Sequence, residues 1–521
     1  MRIILFIILT LSVVTSAQKK EIVAYYTGGN PGYLKVLEKN GSADKITILD
    51  YAFAVPLTDS LGNIVPWFSN AYSIYREIYS KDMSIDGIAD SLNQSLRGQF
   101  NQLRKLKARH PNLQIMLSIG GWGGSTYFSD AALTPESREK FVNTCIDFFI
   151  EGNLPVENNA GGIGSAKGVF DGFDLDWEFP ISGGPEGTHY TPNDRENMTA
   201  LFALFRKKLY EINPKLLLTA AVSARSWEFW KYNFNKDQQY LDWFNVMTYD
   251  NHGIWDSLTG HHTNLLSSAN DPDWRKESLD RTIKYLLDSC SISCDKIIPG
   301  AAFYGKGWEN VGVINCGLYQ PGNAENLKHH IRFENYNDYS DITKDGYKVC
   351  WDDLAMAAWL YNPKEKFFWT YDDIRSIALK ARYVDAYNLR GLMFWSINGD
   401  DSLGTLVNTI YKKNMTDFVD FISKADNILP SIRIIEPKDK DSIEKGSNIR
   451  IKTNVDDQDG KVVKVEFFID GNSIGYNTFY PFDWVWFNAS VGKHIIKAVA
   501  SDNNGGETIS ESVDINVITN N

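Results

Sequence analysis

The stretch Asp171-Gly172-Phe173-Asp174-Leu175-Asp176-Trp177-Glu178-Phe179-Pro180 sets carboxyl groups at every second position from 174 to 178, with apolar side chains between them. In a strand, successive side chains point to opposite faces, so Asp174, Asp176 and Glu178 share one face and Phe173, Leu175, Trp177 and Phe179 the other. Three carboxyls stacked on a buried face cannot all ionise cheaply, because each is desolvated and each repels the next; at least one keeps its proton near neutral pH. An acid held neutral beside carboxylates can donate a proton to a bond being broken. Glu178 comes last and is the candidate donor. Asp176, one pleat deeper, can pass a hydrogen bond, and Asp174 below it tunes Asp176. Asp171 has the other parity and is read as shaping the strand entrance. One metal ion cannot bind all three groups, since positions i, i+2 and i+4 of a strand spread over about 13 Å. A run of solvated acids on an edge strand is disfavoured by the apolar residues at every alternate position. No metal and no cofactor is expected.

A strand carrying such a column needs a scaffold that buries both its faces. Eight apolar, β-branched segments read as strands: Ile22 to Tyr26, Ile46 to Ala54, Ile115 to Gly120, Gly172 to Phe179, Leu216 to Val222, Phe244 to Tyr249, Ile297 to Tyr304 and Gly391 to Ile397. Amphipathic patterns lie between them at Leu92 to Arg109, Pro135 to Glu151, Arg195 to Ile212, Lys276 to Leu287 and Tyr371 to Asn388, with a last helix near Leu403 to Ser423. Strand and helix alternating eight times predicts an α/β fold of the closed (β/α)8 TIM-barrel type over 18–425, whose sites open at the C-terminal ends of the strands, where Glu178 stands. The gap between Tyr304 and Tyr371 is too long for one connection, so 305–370 reads as an α+β insertion after strand seven that deepens a cleft. Beyond Ala425 short alternating runs and Asp-Gly or Asn-Gly turns predict an all-β Ig-like sandwich over 428–521.

Composition narrows the partners. With 53 Lys and Arg against 65 Asp and Glu, the net charge is −12, which offers no basic field for nucleic acid or an anionic membrane. Met1 to Ala17 has an early Arg, an apolar run from Ile3 to Val14 and a small-residue end, the pattern of a signal peptide too short to span a bilayer. A secreted chain, extracellular, periplasmic or at the cell surface, is expected, and a monomer. The 15 Trp and 26 Tyr supply faces that stack on sugar C–H groups as readily as they fill a core. Among the cysteines, Cys316 with Cys350 is the expected disulfide, Cys290 with Cys294 is left open as a second, and Cys145 reads as a buried thiol. His261-His262 and His329-His330 read as solvated loop histidines, since sequence neighbours seldom share a metal.

The Asp-Gly-Phe-Asp-Leu-Asp-Trp-Glu run resembles the strand-four signature of family 18 glycoside hydrolases, the chitinases. Ser118-Ile119-Gly120-Gly121-Trp122 is similar to that family's strand-three motif, Met247-Thr248-Tyr249-Asp250 to its strand-six motif and Gly391-Leu392-Met393-Phe394-Trp395-Ser396 to its strand-eight end. The insertion resembles that of the bacterial and animal branch, and the C-terminal unit resembles Ig-like modules of secreted bacterial enzymes. The resemblance implies cleavage of chitin or chito-oligosaccharides with retention, the substrate's acetamido group acting as nucleophile. Glu178 would protonate the leaving oxygen, Asp176 would orient the acetamido N–H, Asp174 would share a proton with Asp176, and Ser118 and Tyr25 would brace that pair. Tyr249 and Asp250 would contact the sugar from the opposite wall, Trp395 would form its floor, and Trp122 and Trp255 would be outlying platforms. Endo-β-N-acetylglucosaminidase action on N-glycans or peptidoglycan, and a non-catalytic chitin-binding lectin, are the alternatives.

Overall fold

A computed structural model describes residues 20–30, 32–324, 346–412, 429–457, 461–478, 481–502 and 506–519. Eight parallel strands form the centre: β1 (Glu21–Tyr26), β2 (Ile48–Thr58), β3 (Gln114–Gly120), β4 (Gly172–Asp176), β5 (Leu217–Ser223), β6 (Trp243–Met247), β7 (Ile297–Ala302) and β8 (Gly391–Trp395). Each pairs with its neighbour in sequence order, and β1 pairs with both β2 and β8, which closes the barrel. The fold is the expected TIM barrel. β4 ends at Asp176, so Glu178 stands just past the strand end rather than within it.

The strands are buried on both faces, which is why they read as apolar runs rather than alternating ones. Outward-facing Phe173, Leu175 and Trp177 join the layer between barrel and helices. The helix Asp194–Ile212 meets that layer through Met198, Leu201, Phe202, Phe205 and Leu209, at helical spacing. Inside the barrel a smaller cluster of Val23, Tyr25, Ile48, Ala52, Met116, Trp243, Ile298 and Met393 fills the axis. The Asp194 carboxylate accepts hydrogen bonds from Thr191 and from the Ile181 N–H, and thereby ties the chain following Glu178 to a helix start.

The insertion is, in its described part, a four-stranded antiparallel sheet ordered Gly305–Trp308, Phe367–Tyr371, Ala357–Asn362, Lys348–Asp352. Its described helical part is the short 3-10 turn Ile314–Gly317, and His329 and His330 lie outside the described residues. The sheet is joined to the barrel by a fully buried ion pair, Lys380 Nζ to Asp372 Oδ2 at 2.6 Å, and the same carboxylate accepts the Ala302 N–H at the end of β7. The C-terminal unit packs a three-stranded sheet against a six-stranded one over Ile434, Ile449, Ile451, Val465, Phe467, Ala498 and Ile515, the expected sandwich. No helix among the described residues is long and apolar enough to cross a membrane. The apolar stretch to Ala17 lies outside them, as does 413–428.

The disulfide expectations are corrected: all five cysteines are thiols. Cys316 and Cys350 do face one another within hydrogen-bonding reach, and burial together with that contact pushes the Cys350 thiol up to about 12. Cys290 and Cys294 instead pack at the edge of the outer core layer, and Cys145 is buried as expected.

Candidate active site

Parallel register places Asp174 between Ser118 of β3 and Thr219 of β5. Its Oδ2 accepts from Tyr25 OH at 2.9 Å and Ser118 Oγ at 2.8 Å, and its Oδ1 accepts from Thr219 Oγ1 at 2.7 Å and Asn245 Nδ2 at 3.1 Å. Four donors from four strands therefore converge on one carboxylate. Burial raises the Asp174 pKa, and these hydrogen bonds oppose the rise. The family resemblance implied Tyr25 and Ser118 as braces of the Asp174 and Asp176 pair; Thr219 and Asn245 were missed. The missed signal was a lone polar residue in each of two otherwise apolar strands, Leu217-Leu218-Thr219-Ala220 and Trp243-Phe244-Asn245-Val246.

Asp176 has the opposite surroundings. Its Oδ1 is buried without a hydrogen-bond partner, and burial, with the charges of Glu178, Asp174 and Asp50, holds its pKa well above the carboxylate range. Asp50 on β2 is a fourth acid the sequence reading missed. It is wholly buried, with both oxygens unpartnered, and burial and Asp174 raise its pKa too. The column thus holds one carboxyl met by four donors, Asp174, beside two, Asp50 and Asp176, whose burial favours the protonated form.

Glu178 is fixed by its backbone. Its N–H donates to Ser125 Oγ at 2.9 Å, and that oxygen also lies 2.9 Å from the Gly121 carbonyl and 3.0 Å from the Asp176 carbonyl. The two glycines after Ser118 have a steric cause. A Cβ on Gly120, at φ +115°, would lie 2.1 Å from the Asp176 carbonyl oxygen, and one on Gly121 would lie 2.6 Å from the Phe53 ring. Burial, then the negative Asp250, pushes the Glu178 carboxyl up to about 8, with Arg225 opposing.

Asp250 faces Glu178 from the end of β6. Tyr304 OH donates to its Oδ1 at 2.6 Å, Lys306 Nζ lies 3.1 Å away and His262 Nδ1 3.6 Å. Burial acts to raise its pKa, but His262, Lys306 and Tyr304 outweigh that and hold it below the usual range. His261 and His262 are thus not solvated, as expected, but buried: His261 against Asp352 and Trp359, His262 against Asp250 and Tyr304. They occupy the seam between the barrel and the inserted sheet, which the sequence pattern does not reveal. Tyr249 lies close enough to Asp176 and Glu178 for their charges to raise its pKa beyond the effect of burial.

Trp395 lies at the barrel mouth, stacked on Phe53 at 5.4 Å between ring centroids and 5.6 Å from Tyr25. Non-proline cis peptides at Ala52-Phe53, Glu178-Phe179 and Trp395-Ser396 fall around this same mouth. Trp122 is largely exposed beside Phe179, and Trp255 is half exposed on the loop after β6. Among the described residues no group of His, Cys, Asp and Glu could hold a metal ion. The arrangement is a buried carboxyl of raised pKa next to a buried carboxyl column, at a mouth that also carries Trp395, Trp122 and Trp255.

Comparison with known proteins gives the same picture. The profile described as glycosyl hydrolases family 18 matches residues 21–400, and that of a bacterial Ig domain matches 430–510. Chitinase A1 of Niallia circulans is 35% identical over 324 residues, which is 60% of this chain and 44% of that protein. Chitinase C of Streptomyces lividans is 32% identical over 402 residues, covering 75% of this chain and 58% of that one. The chain spans about half the length of these relatives. The catalytic domain of psychrophilic chitinase B from Arthrobacter TAD20 superposes with a TM-score of 0.69 at 32% identity, covering 76% of this chain and 95% of that one. With the match running from β1 to past β8 and the barrel closed as in that solved structure, the chain belongs to family 18 of the glycosyl hydrolases and carries a bacterial Ig domain behind its barrel.

Proposed function

We propose that this protein is a secreted, retaining, endo-acting chitinase that cuts β-1,4-linked N-acetylglucosamine polymers with the help of the substrate's own acetamido group. The observation that carries the reading is a carboxyl pushed up to about 8 at the end of β4, directly above Asp176 and Asp174. In the first step the Glu178 O–H gives its proton to the bridging oxygen as the C1–O bond breaks. The acetamido carbonyl oxygen forms the new bond to C1, giving an oxazolinium ion, and the leaving sugar departs as an alcohol. The nucleophile is tethered beside C1, so its attack gains the large effective concentration of a held group. Asp176 accepts the acetamido N–H and the Tyr249 hydroxyl holds the carbonyl, while Trp395 supports the sugar from below. Asp250 contacts it from the far wall, and Tyr25 and Ser118 keep Asp174 in place. In the second step the Glu178 carboxylate takes a proton from water, whose oxygen bonds to C1 from the face the leaving group left as the bond from C1 to the acetamido oxygen breaks; the acetamido group is restored and the β-anomer results.

Relatives named chitinases support the substrate class. The inserted sheet and the indoles Trp122 and Trp255 support a long cleft and internal cleavage, and the apolar stretch Ile3 to Val14 supports export. The barrel and the sandwich are read as separate folding units. The test is the product profile on chito-oligosaccharides with the anomer followed by NMR. Mixed internal products that first appear as the β-anomer are expected, and Glu178→Gln should stop turnover while sparing oligomer binding. Initial α-anomer, or wild-type rates in that variant, sinks the reading.

A further inference from the structure

The chain that follows Glu178 turns back over it. Ile181, a β-branched residue, sits at φ +69°, in the left-handed region, and a Cβ on Gly184 would come within 2.6 Å of the Glu178 carbonyl oxygen. Such a backbone persists only where its surroundings fix it. Two side chains do so here. Asp194 accepts the Ile181 N–H at 3.1 Å, and one residue further on Lys231 Nζ donates to the Ser182 carbonyl at 2.8 Å. The same ammonium lies 5.6 Å from the centroid of the Phe179 ring.

Lys231 is the last residue of the 3-10 helix Ser226–Lys231 that follows β5, and it is 3% exposed. Its Nζ also donates to Glu228 Oε1 at 3.2 Å, and Glu228 Oε2 accepts the Ser223 hydroxyl at 2.9 Å, at the end of β5. A buried ion pair is weak evidence for stability, because apolar residues of similar volume often serve as well. What an apolar residue cannot supply is a directed donor to a backbone carbonyl. The pair therefore anchors the turn 179–184 to the neighbouring strand. Glu178 depends on that anchor, since its carboxyl makes no hydrogen bond among the described residues. Its place is set by Ser125 on its own N–H and by the turn beyond it.

We propose that Lys231 is a positioning residue for the proton donor: through the Ser182 carbonyl and the Phe179 ring it holds the turn that aims Glu178 at the bridging oxygen. Buried as it is, Lys231 acts through the turn and not on the sugar. The proposal rests on the chitinase reading, so its test separates the two. Two substrates are compared by kcat/KM: chitohexaose, whose leaving sugar needs a proton, and dinitrophenyl chitobioside, whose leaving group needs almost none. The full chain is measured beside Lys231→Met, Lys231→Arg, Lys231→Met combined with Glu228→Gln, and Glu178→Gln.

A proton donor misplaced by about 1 Å loses about tenfold to a hundredfold in rate. That loss is expected on chitohexaose for Lys231→Met and for the double variant, with a change under about threefold on the dinitrophenyl glycoside. Lys231→Arg, which can still donate to the Ser182 carbonyl, should recover most of it. The double variant leaves no buried charge unpaired and keeps the test open where Lys231→Met fails to fold. Equal losses on both substrates, or loss of fold in both variants, would mark a structural role and overturn the proposal, as would chitohexaose kinetics equal to wild type. Glu178→Gln is the control: a loss confined to chitohexaose upholds the reading of the acid whatever Lys231 does, and wild-type rates in it overturn that reading and the proposal together.

Discussion

Carrying the pH through 8 should switch this site off, because it strips the proton from Glu178. An ordinary glutamic acid at 4.5 is protonated in about one molecule in 300 at pH 7, whereas a group at about 8 is protonated in about nine-tenths of them. The rise of about 3.5 pH units corresponds to about 5 kcal/mol of preference for the neutral acid, drawn first from burial and then from the negative Asp250. The assay is kcat/KM on a chito-oligosaccharide from pH 5 to 10, which reports the ionisations of the free enzyme. Because Asp176 lies beside Glu178, the alkaline limb belongs to the pair and is expected near 8. An activated aryl glycoside, whose leaving group needs little protonation, should lose far less across the same range. Glu178→Gln should lower the oligosaccharide rate by about 10²- to 10⁴-fold, the usual worth of a positioned acid. An alkaline limb between pH 4 and 6, or one that survives in the Gln variant, refutes the assignment of the proton to Glu178.

Asp250→Asn removes a charge that raises Glu178, so the alkaline limb should move to lower pH, by on the order of one unit; an unmoved limb would show that this field does not tune the acid. Lys380→Met strands the buried Asp372 carboxylate and should cost about 3–5 kcal/mol in urea unfolding, with part recovered by adding Asp372→Asn. His252, three residues before Trp255, sits 3.1 Å from Asp271 and 3.3 Å from Asp256, with Arg275 and Asp273 also nearby, and burial fails to offset the two acids, which push it up to about 9. A raised pKa gives stability that is complete below the unfolded value of 6.5 and lost as pH rises through about 9, worth about 3 kcal/mol. Comparing unfolding of wild type and His252→Gln at pH 6 and pH 10 measures it, and equal differences at both would refute it.

Much of the site was legible in the chain because period-two alternation is a local property. Asp174 and Asp176 share a face of the strand by alternation alone, and the spacing of the three carboxyls led to the expectation of an acid before any partner was known. The eight strands were legible for a related reason: strands buried on both faces must be apolar throughout. Their ends were less so, and the column's strand stops at Asp176, leaving Glu178 to be held by Ser125 from another loop. The cysteines show the limit of reasoning from counts. Cys316 and Cys350 were rightly brought together, yet they face each other as thiols.

The sequence by itself determined the alternation that lines up the strand carboxyls and the barrel that must bury them, since these follow from residue type and near-neighbour spacing. Only the tertiary structure decided which carboxyl is met by donors and which is left without them. Thr219 and Asn245 reach Asp174 from separate strands, Asp50 adds a buried acid from β2, and His262, Tyr304 and Lys306 gather at Asp250 from two other segments. A pKa is set by every charge, donor and water within a few ångströms, and barrel closure assembles those groups from positions far apart along the chain.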